Sequence, residues 1–434
     1  MTTTSLSPFW TSDRASSLPN TKAASNKIVI GILTLSLLLS FLQYCFERSD
    51  LVRLVPVALL TVGALLCLMT CPREKRRAIL IAVVRPATLA ATSLVTVPPL
   101  LSSLIYRPTV YPFEYGIFMV VILVGVRILL SEIGFEGVFL SFFYATTAGI
   151  LIVVGLTFSD LLASIGSARY APLYFDPNRI AFFAVTSIPA QLWFAARYRR
   201  YYVLMVSVLC VFVMLAASSR GSIGALLIGG SVMTLLYIVR LARSSTFTIS
   251  RNKLIGTLAL LCVLTIIAGV DQRGVASAGQ YLRTKLALDD RDRGLNTGFT
   301  GRSASWAQLM EILPKTSWLM GNGYRTSEED FNFFVDNGYL AGIYELGLFS
   351  TIVVLAKYLF IVYFLSSVYL SNRLTRGMCL PALLFTLVIF FANAFVHRVF
   401  FGISEQASIL ALFAFTSTRQ DVLNVLQSSP ISRS

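Results

Sequence analysis

From Ile28 onward, long apolar runs alternate with short polar or basic stretches. Each run is close to the roughly 20 helical residues that cross about 30 Å of hydrocarbon. The pattern predicts spans at 28–46, 51–70, 87–106, 114–131, 137–157, 179–196, 201–218, 222–239, 254–270, 343–366, 379–396 and 402–418. The fold class expected is therefore an all-α polytopic membrane protein of about 12 transmembrane helices. Arg85-Pro86 interrupts the start of the third run, so 76–85 is alternatively an interfacial helix. A secretory signal would carry its apolar core nearer the start and a small-residue cleavage site after it, so Ile28–Phe46 is expected to be a retained span.

One segment breaks the alternation. Residues 271–341 are polar, with eight basic and nine acidic side chains, and a loop of that length needs a reason to exist outside lipid. The organisation expected is a tail at 1–27, a bundle of about nine spans at 28–270, the large loop at 271–341, the last three spans at 342–418 and a second tail at 419–434. Within the loop, Ser303 is placed to cap a helix whose Trp306, Leu309, Met310 and Leu313 share one face and which Pro314 ends. Gly321-Asn322-Gly323 has the composition of a turn. A helix lying on the membrane surface and roofing a cavity is the simplest arrangement of these pieces.

Charge orients the chain. The sequence is 56% hydrophobic and only 13% charged, yet its formal net charge is +15. Many basic residues sit in short loops: Arg73, Lys75, Arg76 and Arg77; Arg197, Arg199 and Arg200; Arg240, Arg243, Arg251 and Lys253; Arg373 and Arg376. That is the positive-inside bias of membrane proteins rather than a nucleic-acid footprint, so no nucleic acid is expected as a partner. Both termini then fall in the cytoplasm, and 107–113, 158–178, 219–221, 271–341 and 397–401 fall on the far side. Arg127, toward the cytoplasmic end of its span, is expected to snorkel; Lys357 must snorkel or face the bundle. The six cysteines have no metal-type spacing, and Cys67 and Cys71 are expected to be small lipid- or core-facing residues. No nucleotide-binding loop, zinc spacing or Ser/His/Asp pattern is visible.

Arginine marks the far side at four separated places. Arg169 and Arg179 bracket Asp176-Pro177-Asn178; Arg220 lies in Ser218-Ser219-Arg220-Gly221; Arg302 and Arg325 are in the large loop; Arg398 follows the only histidine, His397. Guanidinium forks match diphosphate oxygens and keep their charge. Arg220 is the sharpest candidate, in a tight hairpin near the lipid boundary, with an ordinary snorkelling arginine as the alternative. Candidate bases are Asp336, Glu345, His397 and Glu405, and partial burial would raise a carboxylate's pKa toward useful basicity. His397 is equally readable as a boundary histidine bonding a carbonyl. The run Asp289-Asp290-Arg291-Asp292 is read as a solvated face.

In order along the chain, Asp176-Pro177-Asn178, Ser219-Arg220-Gly221, Thr300-Gly301-Arg302 with Trp306, Gly321-Asn322-Gly323, and Asp336-Asn337-Gly338-Tyr339-Leu340 leading to Glu345-Leu346-Gly347 resemble the O-antigen ligase / Wzy-type polysaccharide polymerase family. The match covers roughly residues 160–400. The resemblance implies a multi-pass protein of the bacterial inner membrane with a large periplasmic loop before the last three spans. It implies a metal-independent glycosyltransferase whose donor is a glycan on undecaprenyl diphosphate and which needs no cofactor. Its partners would be that lipid-linked oligosaccharide, membrane lipid, and a chain-length regulator and a flippase of the same pathway. Ligases usually carry His-Asn where this chain has Asp336-Asn337, and a second Gly where it has Ser350, so the resemblance points to the polymerase branch. On that reading Arg220, with Arg302 or Arg398, takes the diphosphate, and Asp336 or Glu345 takes the acceptor proton. Arg169, Asn178 and Trp306 shape the glycan site, with Arg325 and His397 as further binding candidates. A ligase using the same donor, or a flippase of lipid-linked oligosaccharide, are the alternatives.

Overall fold

The computed structural model describes residues 20–46, 50–106, 110–164, 169–243, 286, 302–323, 326–331, 337–371 and 376–395. All regular elements among them are helical. They are α1 (Asn20–Leu42), α2 (Asp50–Thr70), α3 (Arg73–Val83), α4 (Pro86–Tyr106), α5 (Val110–Leu156), α6 (Phe158–Ala163), α7 (Pro177–Tyr198), α8 (Leu204–Ala216), α9 (Arg220–Arg243), α10 (Arg302–Ile312), α11 (Thr326–Phe331), α12 (Gly338–Ser371) and α13 (Arg376–Phe395). Five stretches among the described residues are long and apolar enough to cross a membrane: Asn26–Cys45, Glu136–Leu156, Pro177–Tyr198, Arg220–Arg240 and Gly338–Leu370. Leu54–Thr70, Thr92–Ser102, Tyr201–Ala216 and Leu380–Ala394 are shorter apolar helices. The expected spans at 254–270 and 402–418, and both tails except the start of α1, lie outside the described residues.

Helices alone satisfy a backbone within hydrocarbon, and specific contacts order them here. Ser36 of α1 donates to the Pro56 carbonyl of α2 at 2.7 Å, tying the two helices together. Gly149 of α5 lies against Phe41 of α1, whose ring meets Phe183 of α7 edge-on at 4.7 Å. Further along α7, Phe194 stacks on Phe143 at 3.8 Å, and Trp193 packs against Phe139, which also touches Phe385 of α13. Large interlocking rings of this kind carry much of the dispersion energy that associates apolar helices in an apolar solvent.

The pairings define two ends of the bundle. At one end, Glu132 and Glu136 flank Gly134, whose φ of 67° breaks α5 into two arms. Lys75 pairs with Glu132 at 2.6 Å, and Arg197 with Glu136 at 2.7 Å. Arg240 of α9 lies over the Tyr369 ring of α12, so these two helices run in the same direction. The opposite end gathers Tyr44, Thr157, the 169–179 segment, the α8–α9 turn, and the start of α12 beside the end of α13, where Tyr339 donates to the Phe390 carbonyl.

Several expectations change. The third run, expected at 87–106, is matched by α4, and the residues before it form a separate helix, α3, that ends at Val83 ahead of Pro86. Arg127 does not snorkel. It is 5% exposed because Val126, Ile128, Leu129 and Leu130 are buried around it, leaving no lipid-facing side. Cys67 and Cys71 face the core, and the Cys71 thiol donates to Glu132 at 2.8 Å. Lys357 lies 5.9 Å from the Phe360 ring centroid. The span expected at 343–366 is longer and is interrupted at Gly347.

Candidate functional site

At the end opposite Glu132 and Glu136, four chain segments converge on the first group of predicted arginines. Asp176 opens α7 as an N-cap, its side chain accepting from the Asn178 amide at 2.8 Å, with Pro177 pre-set for the first turn. This leaves the Asn178 side chain to accept from an Arg169 terminal nitrogen at 3.2 Å. The Arg169 Nε donates to the Ala217 carbonyl at 3.1 Å, at the C-terminus of α8, where a cation complements the helix dipole. One guanidinium thus ties the start of α7 to the α8–α9 turn. Its neighbour Tyr170 repeats the tie: its amide donates to the Ala216 carbonyl at 3.0 Å and its hydroxyl pairs with Thr157 at 2.7 Å. Burial pushes the Tyr170 phenol above its ordinary pKa, against the lowering effect of the Thr157 bond.

Arg220 begins α9 immediately after this turn. Ser218 holds φ at 54°, the left-handed conformation that ends α8, and the Ser219 hydroxyl donates to that of Ser222 at 3.1 Å. Leu173, in the loop before α7, is also left-handed with φ of 53°. Two non-glycine residues in this region, each strained by roughly 1–3 kcal/mol, flank the arginines. Arg179 lies 4.3 Å from the ring centroid of Tyr44, which follows α1. The N-termini of α7, 22 residues, and α9, 24 residues, both open here and add partial positive charge to that of Arg169, Arg179 and Arg220. The chemistry this favours is the binding of a multiply charged anion.

A second constellation fastens the large loop to the bundle. Gly347 breaks α12 with φ of 88°, removing the helical partners of nearby backbone groups. The Gly321-Asn322-Gly323 turn supplies replacements. Asn322 donates to the Tyr344 carbonyl from its amide at 2.8 Å and from its side chain at 2.9 Å. Gly323 donates to the Glu345 carbonyl at 3.0 Å, and the Leu348 amide donates to the Trp318 carbonyl at 2.9 Å. From α4, Ser102 donates to the Gly321 carbonyl and Ser350 of α12 donates to the Leu94 carbonyl. A Cβ on Gly321 would lie 2.7 Å from the Gly347 amide, and one on Gly347 would lie 2.6 Å from the Met320 carbonyl carbon, so both positions exclude side chains.

Glu345 sits in this junction, 1% exposed, accepting from the Ser327 hydroxyl of α11 at 2.5 Å. Tyr344 donates to Asp330 at 2.6 Å. Asn337 caps α12, its side chain accepting from the Tyr339 and Leu340 amides, both at 3.0 Å.

Arg169, Asn178 and the Arg220 turn are therefore brought together. Trp306 is elsewhere among the described contacts: its helix α10 rests on the first arm of α12 through Leu309 and Leu313 against Leu340, Ala341 and Tyr344. The helix begins at Arg302, so Ser303 lies inside it rather than capping it. Met310, expected on the packed face, is 53% exposed while Leu309 is fully buried, because α12 covers only a narrow strip of α10. Asp336, Arg325, His397, Arg398 and Glu405 lie outside the described residues, as does the side chain of Arg302.

Sequence reasoning missed Tyr44, Tyr170, Ser102 and the break at Gly347. An aromatic just past an apolar run was the available signal for Tyr44. Gly347 stood in the quoted Glu-Leu-Gly, but nothing local distinguishes a helix-breaking glycine from a packing one. No protein-family model, curated protein or solved structure matches this chain.

Proposed function

We propose that the protein is a polysaccharide repeat-unit polymerase of the bacterial inner membrane, acting on lipid-diphosphate-linked glycan at the periplasmic face. The observation that carries this reading is the convergence of Arg169, Asn178, Arg179 and Arg220 with two long helix N-termini, at the end of the bundle away from the basic loops. A membrane anchor with a diphosphate headgroup is a ligand whose charge suits such a cluster.

In the proposed reaction, an acceptor sugar hydroxyl attacks the anomeric carbon of the donor glycan. The new C–O glycosidic bond forms as the bond from that carbon to the diphosphate oxygen breaks. The electron pair leaves on the lipid diphosphate, where Arg220 stabilises the developing charge, with Arg302 or Arg398 assisting. Arg169 and Asn178 position the glycan beside it. The hydroxyl proton goes to a carboxylate. Asp336 is preferred for this role over Glu345, whose carboxylate is buried in the junction between loop and bundle.

The test uses purified full-length protein, a synthetic polyprenyl-diphosphate oligosaccharide and chromatography of product length. Ladder-like elongation is expected, and it should be lost in Arg220→Ala with the protein still folded. Transfer of one glycan to a non-lipid acceptor without a ladder would indicate a ligase. Movement of the substrate across vesicles without any new bond would indicate a flippase. Either outcome overturns the polymerase reading.

A further inference from the structure

The end of the bundle that the proposed reaction does not use carries a surface of its own. In α3, successive residues turn by about 100°, so Arg73, Arg77, Leu80, Ile81 and, just past the helix, Val84 fall on one face. All five are exposed, Leu80 by 46%, Ile81 by 52% and Val84 by 57%. Glu74 stands at the edge of this face and is also exposed. The opposite face is fixed to the bundle: Ile79 is buried, Lys75 pairs with Glu132 at 2.6 Å, and Arg76 donates to the Met69 and Cys71 carbonyls at 3.1 and 3.3 Å. The helix therefore cannot roll to hide its apolar residues.

Along this face, arginines come first and aliphatic residues follow, so polarity changes along the helix axis. Further along the chain, α4 exposes Leu94, Val97, Leu101 and Leu104 at helical spacing. The basic surface is continued across the bundle end by exposed Arg199 and Arg200 beside exposed Tyr201 and Tyr202, residue types that favour the headgroup layer. The succession of arginine and aliphatic side chains on one exposed face suits the boundary between lipid headgroups and acyl chains. Phospholipid meets both halves at once: acyl chains against Leu80, Ile81 and Val84, and a headgroup phosphate against Arg73 and Arg77.

We propose that α3 is a rigid docking helix for anionic phospholipid, gathering negatively charged headgroups at the basic-loop end of the bundle. This rests on the membrane reading of the chain and not on the glycosyl-transfer reading, and the experiment below measures no transfer.

The test places an indole on the face and asks which lipid touches it. Full-length Leu80→Trp protein and its parent, which already has four tryptophans, are reconstituted in vesicles of phosphatidylcholine and phosphatidylglycerol at equal mole fraction. Brominated acyl chains are carried by one lipid or the other, and quenching of the added indole is taken as the difference from the parent. Bromine on phosphatidylglycerol is expected to quench roughly twofold more strongly than bromine on phosphatidylcholine. Adding Arg73→Gln and Arg77→Gln should make the two equal. Equal quenching before those changes would overturn the proposal. Absence of quenching by either lipid would also overturn it, because the face would then be covered by protein.

Discussion

Both ends of the bundle are rich in arginine, but the neighbours differ. At the Gly134 end, Lys75 and Arg197 meet Glu132 and Glu136, two carboxylates set either side of one break, and the resulting ion pairs staple α3 and α7 to α5. At the other end, the contacts of Arg169 and Arg179 include a carbonyl, a side-chain amide and a tyrosine ring. The one acidic residue described beside them, Asp176, has a carboxylate oxygen engaged as the α7 cap. Charge satisfied by carboxylate builds a scaffold. Arginines gathered beside two long helix N-termini concentrate a positive potential that an anionic ligand can use.

The largest expected effect at the arginine end touches no arginine. Gly347→Ala puts a Cβ against the Leu319 carbonyl at a φ of 88°, and should destabilise the protein by about 3 kcal/mol or more, read as lost yield or a lower thermal midpoint. An unchanged midpoint would mean that the loop is not fastened through this break. Next comes Arg220→Ala, which should lower product formation roughly 100-fold with little change in midpoint, as for loss of a group that stabilises leaving-group charge. The contrast sharpens with Glu136→Gln at the other end. It breaks a two-pronged pair, at 2.7 and 3.0 Å, and should cost about 1–2 kcal/mol of stability while leaving transfer per folded molecule unaltered. If Arg220→Ala lost only stability, or Glu136→Gln only activity, the division between the two ends would fail. The smallest effect is that of Tyr170→Phe, which removes the 2.7 Å bond to Thr157 and should cost about 1 kcal/mol, measured by the same thermal assay.

Much of this division is legible in the order of residues. Asp176-Pro177-Asn178 states both a helix start and a polar side chain left over at its mouth, and α7 begins there. Ser218-Ser219-Arg220 between two apolar runs states a tight turn, and the turn is found with α9 starting at Arg220. The glycines of Gly321-Asn322-Gly323 state a turn, and both have positive φ. Periodicity did less well in the loop. It grouped Met310 with Leu309 because adjacent positions on a helix differ by only about 100°, whereas the width of the covering surface, supplied by α12, decides which is buried. The break at Arg85-Pro86 was legible, and α3 ends just before it while α4 begins at Pro86.

By itself, the amino-acid order determined the helical class, the positions of most apolar elements and the turns that begin α7 and α9. Those properties depend on neighbours within a few positions of one another, where hydrophobic period, capping and turn chemistry act. Only the tertiary structure decided that Arg169 meets Asn178 and Ala217, that Arg179 lies over Tyr44, that Gly347 opens α12 to the loop, and that Glu345 is enclosed there. Each of these is a contact between residues distant in the chain or a break that such contacts sustain. Its free energy depends on which helices pack side by side, a quantity that no local window of sequence contains.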